Sequence, residues 1–278
     1  MNGYRLSVIG RKVLTSVLII GVLPFLFNAH AYAGEKRDSV GLTYGLKATA
    51  QTTYIWRGMY AGGPNIELDA NVGYGGAYID MWWHLGTTDY TFSKFLPEVD
   101  LTIGFARWGF DINLLYIHNF NCPFFDFRNY VDKGNRLEIN ASYTISKLIP
   151  LGFHWATRIA AADGYIDEQG KLVQAYSSFA EVFYTQKLPF GLTLYGAIGI
   201  TPWRSCYTAY KRNFAVQNLE VRLYKDWAVG SHCGIQLLGR VSVNPSLIAA
   251  DKNSVQWHPD NPGGQSVNAN VGVSVYLK

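Results

Sequence analysis

The sequence predicts an all-β chain, a single transmembrane antiparallel up-and-down β-barrel of about 12 strands behind a cleaved leader. Three observations carry this: a secretory pattern at the N-terminus, long segments that alternate apolar and polar residues, and connections that alternate between short and long.

The leader comes first. Arg5, Arg11 and Lys12 precede an apolar run from Val13 to Phe27, followed by Ala31-Tyr32-Ala33. A basic start, a short apolar core and a small-x-small site form the order of a signal peptide. The run is shorter than the roughly twenty residues a membrane helix needs. Residues 1–33 are therefore expected to be removed, leaving residues 34–278 as the barrel. No cysteine adjoins the cleavage site, so no lipidated N-terminus is expected.

Composition narrows the class further. Charged residues make up 16% and aromatics 15%, whereas soluble domains carry about 25% charged residues. The mature part holds no apolar run long enough for a membrane helix, which excludes a helical membrane protein. Loss of Arg5, Arg11 and Lys12 leaves 21 basic residues against 20 acids, a net charge of +1. Such a balance argues against a nucleic-acid partner.

Periodicity fixes the strands. Val267, Ala269, Val271, Val273, Val275 and Leu277 alternate with Ser266, Asn268, Asn270, Gly272, Ser274 and Tyr276. The same period of two puts Leu137, Ile139, Ala141, Tyr143 and Ile145 opposite Glu138, Asn140, Ser142 and Thr144, and Ile66, Leu68, Ala70 and Val72 opposite Glu67, Asp69 and Asn71. Twelve such segments are expected, near 41–55, 64–75, 77–86, 97–107, 109–119, 135–147, 152–162, 174–187, 191–201, 214–225, 232–244 and 266–277. Their length suits tilted membrane strands.

The connections at Gly75-Gly76, Trp108, 147–151, 187–190 and 226–231 are short, and those at 56–63, 87–96, 121–134, 163–173, 202–213 and 245–265 are long. Short periplasmic turns, long outer loops and an even strand count describe an outer-membrane barrel of a Gram-negative-type envelope. A soluble sandwich or lipocalin-like barrel would have to bury twelve apolar faces in one core. Tyr54, Trp56, Trp82, Trp83, Tyr116, Trp155, Tyr176, Tyr184, Tyr224, Trp227 and Tyr276 fall towards strand ends, as interfacial girdles do.

With apolar residues facing lipid, the polar alternates face the lumen. Glu67, Asp69, Asp80, Glu98, Asp100 and Asp111 then form an acid wall, and Arg136, Arg158, Arg222 and Arg240 a basic one; Lys47, His154, Glu138, Glu181 and Glu220 also point in. Either water holds the walls apart, creating a transverse field, or arginines reach across and pair with carboxylates. Twelve strands lie between a filled eight-strand barrel and an aqueous sixteen-strand one, so size leaves both open.

Catalytic and metal signals are sparse. His118-Asn119 and Ser242 to Asn244 would make a Ser-His-Asn group only through a fold contact, so isolated histidines are the expectation. There is no Cys-x-x-Cys or His-x-x-x-His spacing, and Asp163, Asp167 and Glu168 are expected to be solvated. Cys122 and Cys206 lie in outer loops and are candidates for a loop disulfide, with three unpaired thiols as the alternative and Cys233 left over in either case.

The stretch Ala48-Thr-Ala-Gln-Thr-Thr-Tyr54-Ile-Trp56-Arg57-Gly58, then Pro64, Tyr78-Ile-Asp-Met-Trp82-Trp83, Glu98-Val-Asp100-Leu-Thr-Ile-Gly104-Phe, Leu115-Tyr116 and Arg136-Leu-Glu138, resembles the TorF-type porin family over residues 42–145. The Trp-rich early hairpins are similar, less closely, to nucleoside-specific channels. The resemblance implies an outer-membrane, channel-like barrel of unspecified substrate. Proteobacterial members end in an aromatic residue, where this chain has Lys278. Arg57 is expected to fold over Trp56 or pair with an acid at the rim, or else to meet entering solute.

The expected function is passive passage of small polar solutes through a narrow outer-membrane channel, with no catalysis and no cofactor. A closed structural or adhesive barrel and an outer-membrane lipid-modifying enzyme are the rivals. The partners implied are outer-membrane lipid, the solutes and the periplasmic barrel-assembly machinery.

Overall fold

The computed structural model describes residues 41–87, 95–128, 134–146, 148–210, 213–248 and 266–277. The leader expected over residues 1–33 and most of the last long connection lie outside the described residues. In chain order the strands are β1 (Leu42–Gln51), β2 (Tyr54–Trp56), β3 (Met59–Gly62), β4 (Asn65–Tyr74), β5 (Ala77–Thr87), β6 (Phe95–Arg107), β7 (Phe110–His118), β8 (Arg136–Thr144), β9 (Leu151–Ala161), β10 (Gly164–Ile166), β11 (Leu172–Gln174), β12 (Ser178–Leu188), β13 (Leu192–Thr201), β14 (Ala215–Val229), β15 (Cys233–Val243) and β16 (Val267–Leu277).

Twelve of them form one closed antiparallel barrel in the order β1-β16-β15-β14-β13-β12-β9-β8-β7-β6-β5-β4. Every strand pairs with its barrel neighbours in sequence, and β1 closes the ring on β16 from Leu46↔Leu277 to Gln51↔Gly272. Closure leaves no open sheet edge, which is the requirement for a sheet without water around it. Among the described residues no helix is long and apolar enough to cross a membrane.

The alternation seen in the sequence is the alternation of the barrel wall. On β16 Val271 is 63% exposed while Asn270 is 2% exposed. On β4 Ile66, Leu68 and Val72 face out, and Asn65 and Asp69 are buried within. This apolar outside around a polar inside inverts the arrangement of a water-soluble core. Inward aromatics fill the space over glycines of the adjacent strand: Tyr78 lies over Gly104, Phe183 over Gly152 and Tyr276 over Gly234.

Two of the tight turns combine two consecutive left-handed residues, Gly75-Gly76 (φ 61° and 99°) and Trp108-Gly109 (φ 55° and 83°). That backbone matches the right-handed twist of the strands it joins.

Three of the boundaries that differ from the periodicity have a local cause. The first barrel strand stops at Gln51 rather than residue 55, because residues 54–62 form the separate β2–β3 hairpin. Residues 172–174 belong to the β10–β11 hairpin, so β12 starts at Ser178 rather than 174. The turn expected at 226–231 begins later, since β14 continues to Val229 with Asp226 facing in and accepting a hydrogen bond from Gln236 Nε2 at 3.0 Å.

Candidate functional site

The candidate site is the lumen. Glu67 and Asp69 on β4, Asp80 on β5, Glu98 and Asp100 on β6, and Asp111 on β7 share the inward register. Arg136 on β8, Arg158 on β9, Arg222 on β14 and Arg240 on β15 share it too. Several acids are held by neutral donors. Glu67 accepts from Gln51 Nε2 at 2.5 Å, Glu98 from the Tyr54 hydroxyl at 2.8 Å, and Asp111 from the Tyr78 hydroxyl at 2.7 Å and Asn113 at 3.0 Å.

The arginines are served by two glutamates that stand among them, an arrangement neither sequence alternative contained. Glu220 takes Arg222 and, at 2.5 Å, Arg240. Glu138 takes Arg57 at 2.8 Å and lies 3.7 Å from Arg158. Both glutamate side chains have no exposed surface. A carboxylate shared by two guanidiniums offsets the cost of burying all three charges inside the barrel.

Arg57 reaches that position because the β2–β3 hairpin folds into the barrel instead of outward. The hairpin leaves the wall between β1 and β4, and its tip meets residues next to β9, the strand opposite β1 in the ring. It is fastened on both sides: the Tyr54 hydroxyl donates to Glu98, Arg240 Nη1 donates to the Ile55 carbonyl at 2.7 Å, and Arg57 donates to Asn140 at 3.2 Å and to the Tyr207 hydroxyl. Gly58, at φ 81°, passes so close to β14 that a Cβ would overlap the Gln217 carbonyl oxygen. Ile55, Met59 and Tyr60 are at most 4% exposed. Of the two roles considered for Arg57, the ion pair is the one that forms, but with Glu138 in the lumen rather than at the rim; its guanidinium also lies 4.5 Å from the Trp56 ring centre.

A second loop joins the hairpin. The turn at Cys206–Thr208 brings Cys206 and Tyr207 against Met59, Ala156 and Phe179, with Trp56 and Tyr210 at the edge of this cluster. The Cys122–Cys206 disulfide is not formed. Cys206 is enclosed in the lumen cluster at 2% exposure, whereas Cys122 belongs to residues 119–128, part of the β7–β8 connection, which turn back onto the outer wall at Tyr116 and His118.

Other expectations need correction. Tyr54, Trp56, Trp82, Tyr224 and Tyr276 are not girdle residues, because their parity or the inward hairpin turns them into the lumen. Trp155, Tyr176, Tyr184 and Trp227 do face outward, each at least 40% exposed. Asp163 is not solvated: it is fully buried and accepts from the Ser177 amide at 2.7 Å, the Ser177 hydroxyl at 2.5 Å and Gln174 at 3.2 Å. Burial pushes its carboxyl above the ordinary value, against Arg158 and the Ser177 donors, which hold it down. It clasps the base of the β10–β11 hairpin.

His118 and Ser242 are far from each other in the ring. His118 bonds Asn135 outside β7, and Ser242 donates to Asn218 inside β15. Among the described residues no group of three or more His, Cys, Asp and Glu side chains could hold a metal ion. The sequence signal for the inward hairpin was available in Ile55, Met59 and Tyr60, three apolar residues in a connection between strands.

No protein-family model matches the chain. No curated protein matches it either. Among solved structures, the NanC porin in a rhombohedral crystal form aligns with a TM-score of 0.48 and 10% identity, covering 84% of this chain and 99% of that one.

Proposed function

We propose that this chain is an outer-membrane barrel that passes small polar solutes through a lumen narrowed by its own first hairpin. The observation that supports it is the inversion of the barrel wall: Val271 exposed beside a buried Asn270, repeated around twelve closed strands. An apolar exterior of this extent is solvated by lipid, and a charged interior is solvated by water or by passing solute. The acid wall and the Arg222–Glu220–Arg240 group then act as the selectivity region. The partners are outer-membrane lipid, small polar solutes and the periplasmic machinery that inserts barrels. No reaction and no cofactor enter this reading.

A closed structural barrel is the second reading. It is favoured by the hairpin that crosses the lumen, with Ile55, Met59 and Tyr60 almost wholly covered.

Single-channel recording of the full chain, purified from the membranes of expressing cells, separates the two. Unitary current steps, with a reversal potential that moves toward cation preference in Arg222→Gln, support the channel. Silence from a barrel that is folded by its heat-shifted gel mobility supports the closed reading. Arg222 is chosen because its side chain is 26% exposed, the most open of the arginines paired with Glu138 or Glu220.

A further inference from the structure

The outward register of β7 changes character along its length. Phe110, Ile112 and Leu114 are 60%, 55% and 41% exposed, yet Tyr116 and His118 on the same face fall to 5% and 1%, and Val99, paired with His118, to 6%. What covers them is the described part of the connection that follows. Residues 119–128 turn back over the outside of the barrel. The Phe125 amide donates to the Tyr116 hydroxyl at 2.9 Å, Phe125 stacks on Tyr116 at 5.0 Å, and Phe124 stacks on His118 at 3.7 Å. Asn135 clips the flap down from the start of β8, donating to the Pro123 carbonyl at 2.9 Å and the Asp126 carbonyl at 3.0 Å while bonding His118 Nδ1 at 2.6 Å.

Several of the flap's polar groups are paired within the protein. Asn121 accepts from the Gly134 amide, Asn119 donates to Glu98 of the lumen wall, and Asp126 is occupied by Arg128 at 2.6 Å. Its apolar groups are turned out: Phe120, Phe124, Phe125 and Phe127 are 49%, 51%, 60% and 43% exposed.

We propose that this flap is a lipid-embedded anchor, with the four phenyl rings seated in the outer leaflet as a continuation of the β7 lipid face. A protein partner is specified by hydrogen bonds around an apolar centre, and the four outward rings offer none. Lipid needs none; it favours backbone groups that are satisfied within the protein, and Asn135 and Tyr116 take up the Pro123 and Asp126 carbonyls and the Phe125 amide. Phenyl rings beside a charged pair suit the boundary between acyl chains and headgroups. The inference rests on the membrane reading of the barrel.

The test uses the full chain carrying Cys122→Ser, Cys206→Ala and Cys233→Ser, reconstituted in vesicles that contain acyl-chain spin-labelled lipid. Single cysteines at Phe124→Cys, Phe127→Cys, Ile112→Cys and Glu168→Cys carry an environment-sensitive fluorophore. The label at Phe124 or Phe127 is expected to lose fluorescence to the lipid quencher as Ile112 does, and to resist a water-soluble quencher that acts on Glu168. Phe127 is the second site in case loss of the His118 stack disturbs the flap. Quenching at Ile112 with both flap positions behaving like Glu168 overturns the anchor and leaves the membrane reading standing. Absence of lipid quenching at Ile112 as well overturns both. Protection of the flap from both quenchers, with cross-linking between copies at Phe124, overturns lipid as the occupant and assigns the face to a second copy of the chain.

Discussion

Arg57 Nη1 lies 2.8 Å from Glu138 Oε2, and the two side chains are 9% and 0% exposed. This pair joins a residue of the first long connection to the wall across the barrel. Glu138→Gln removes the carboxylate from a buried guanidinium and is expected to cost about 3–5 kcal/mol. Arg57→Met is expected to cost less, since Glu138 keeps Arg158 beside it. Urea titration of the barrel in vesicles measures both, and the double variant is expected to lose less than the sum of the singles. Strict additivity would mean the contact has no energetic consequence.

The seat of the hairpin depends on Gly58. Alanine there meets both a left-handed backbone and the Gln217 carbonyl, and the backbone alone costs roughly 1–2 kcal/mol. Gly58→Ala is expected to lift the hairpin from the lumen while the strands stay paired. Trypsin reports it: Arg57 is expected to resist cleavage in the native barrel and to be cut in the variant, with the heat-shifted gel mobility retained. Equal protection in both would show that the hairpin tolerates a side chain at its tip.

The barrel was legible because its wall strands obey one rule over many residues. Each strand of about ten residues repeats the choice between the apolar exterior and the lumen five times, so single exceptions do not hide it. The same rule gives the direction of single charges, since Asp69 and Arg158 obey it as Val72 and Ile139 do. It has no force in connections. Tyr54 to Gly62 contain no period, and their direction is decided by contacts with Glu98, Glu138 and Arg240, which are 36 or more positions away in the chain. The same holds for Asp163: an acid in a loop is ordinarily solvated, and only the return of Ser177 to its side makes it a buried acceptor. Aromatics misled because a wide ring serves a lipid boundary and a lumen filler equally well; parity, not residue type, separates Trp227 from Tyr224.

Asp163 supports a prediction of its own. Asp163→Ala leaves the Ser177 amide buried without its acceptor, a loss of about 1–3 kcal/mol that falls on the β10–β11 hairpin rather than on the barrel. Limited proteolysis is expected to open residues 164–174 in the variant, and Asp163→Asn, which keeps an acceptor oxygen, is expected to restore most of the protection. Barrel unfolding at an unchanged urea midpoint in both variants would confirm that the clasp is local.

The cysteines give a chemical check on the inward turn. Cys206, at 2% exposure inside the cluster with Met59 and Phe179, is expected to resist a maleimide until the barrel unfolds, whereas Cys122, half-buried on the outer wall, is expected to react sooner. Mass spectrometry of peptides after timed labelling reads both sites at once. Rapid labelling of Cys206 in the native barrel would place its turn outside the lumen.

The outer face supplies the last prediction, and it separates lipid from water as the surrounding medium. Val273 lies near the middle of β16, 43% exposed, paired with Ala50 and Leu237 on strands whose outward residues are also apolar. In water, arginine at an exposed strand position changes stability by roughly 0.5 kcal/mol or less. At the bilayer midplane it costs about 2–4 kcal/mol. Val273→Arg is therefore expected to lower the urea midpoint sharply in vesicles and to lower it less in vesicles of thinner acyl chains, where the guanidinium reaches the headgroups. The neighbouring lumen residue gives the control: Ser274 bonds Thr49 at 2.9 Å, so Ser274→Ala is expected to cost about 1 kcal/mol with no dependence on bilayer thickness. A thickness-independent effect of Val273→Arg would mean that this face is not embedded in lipid.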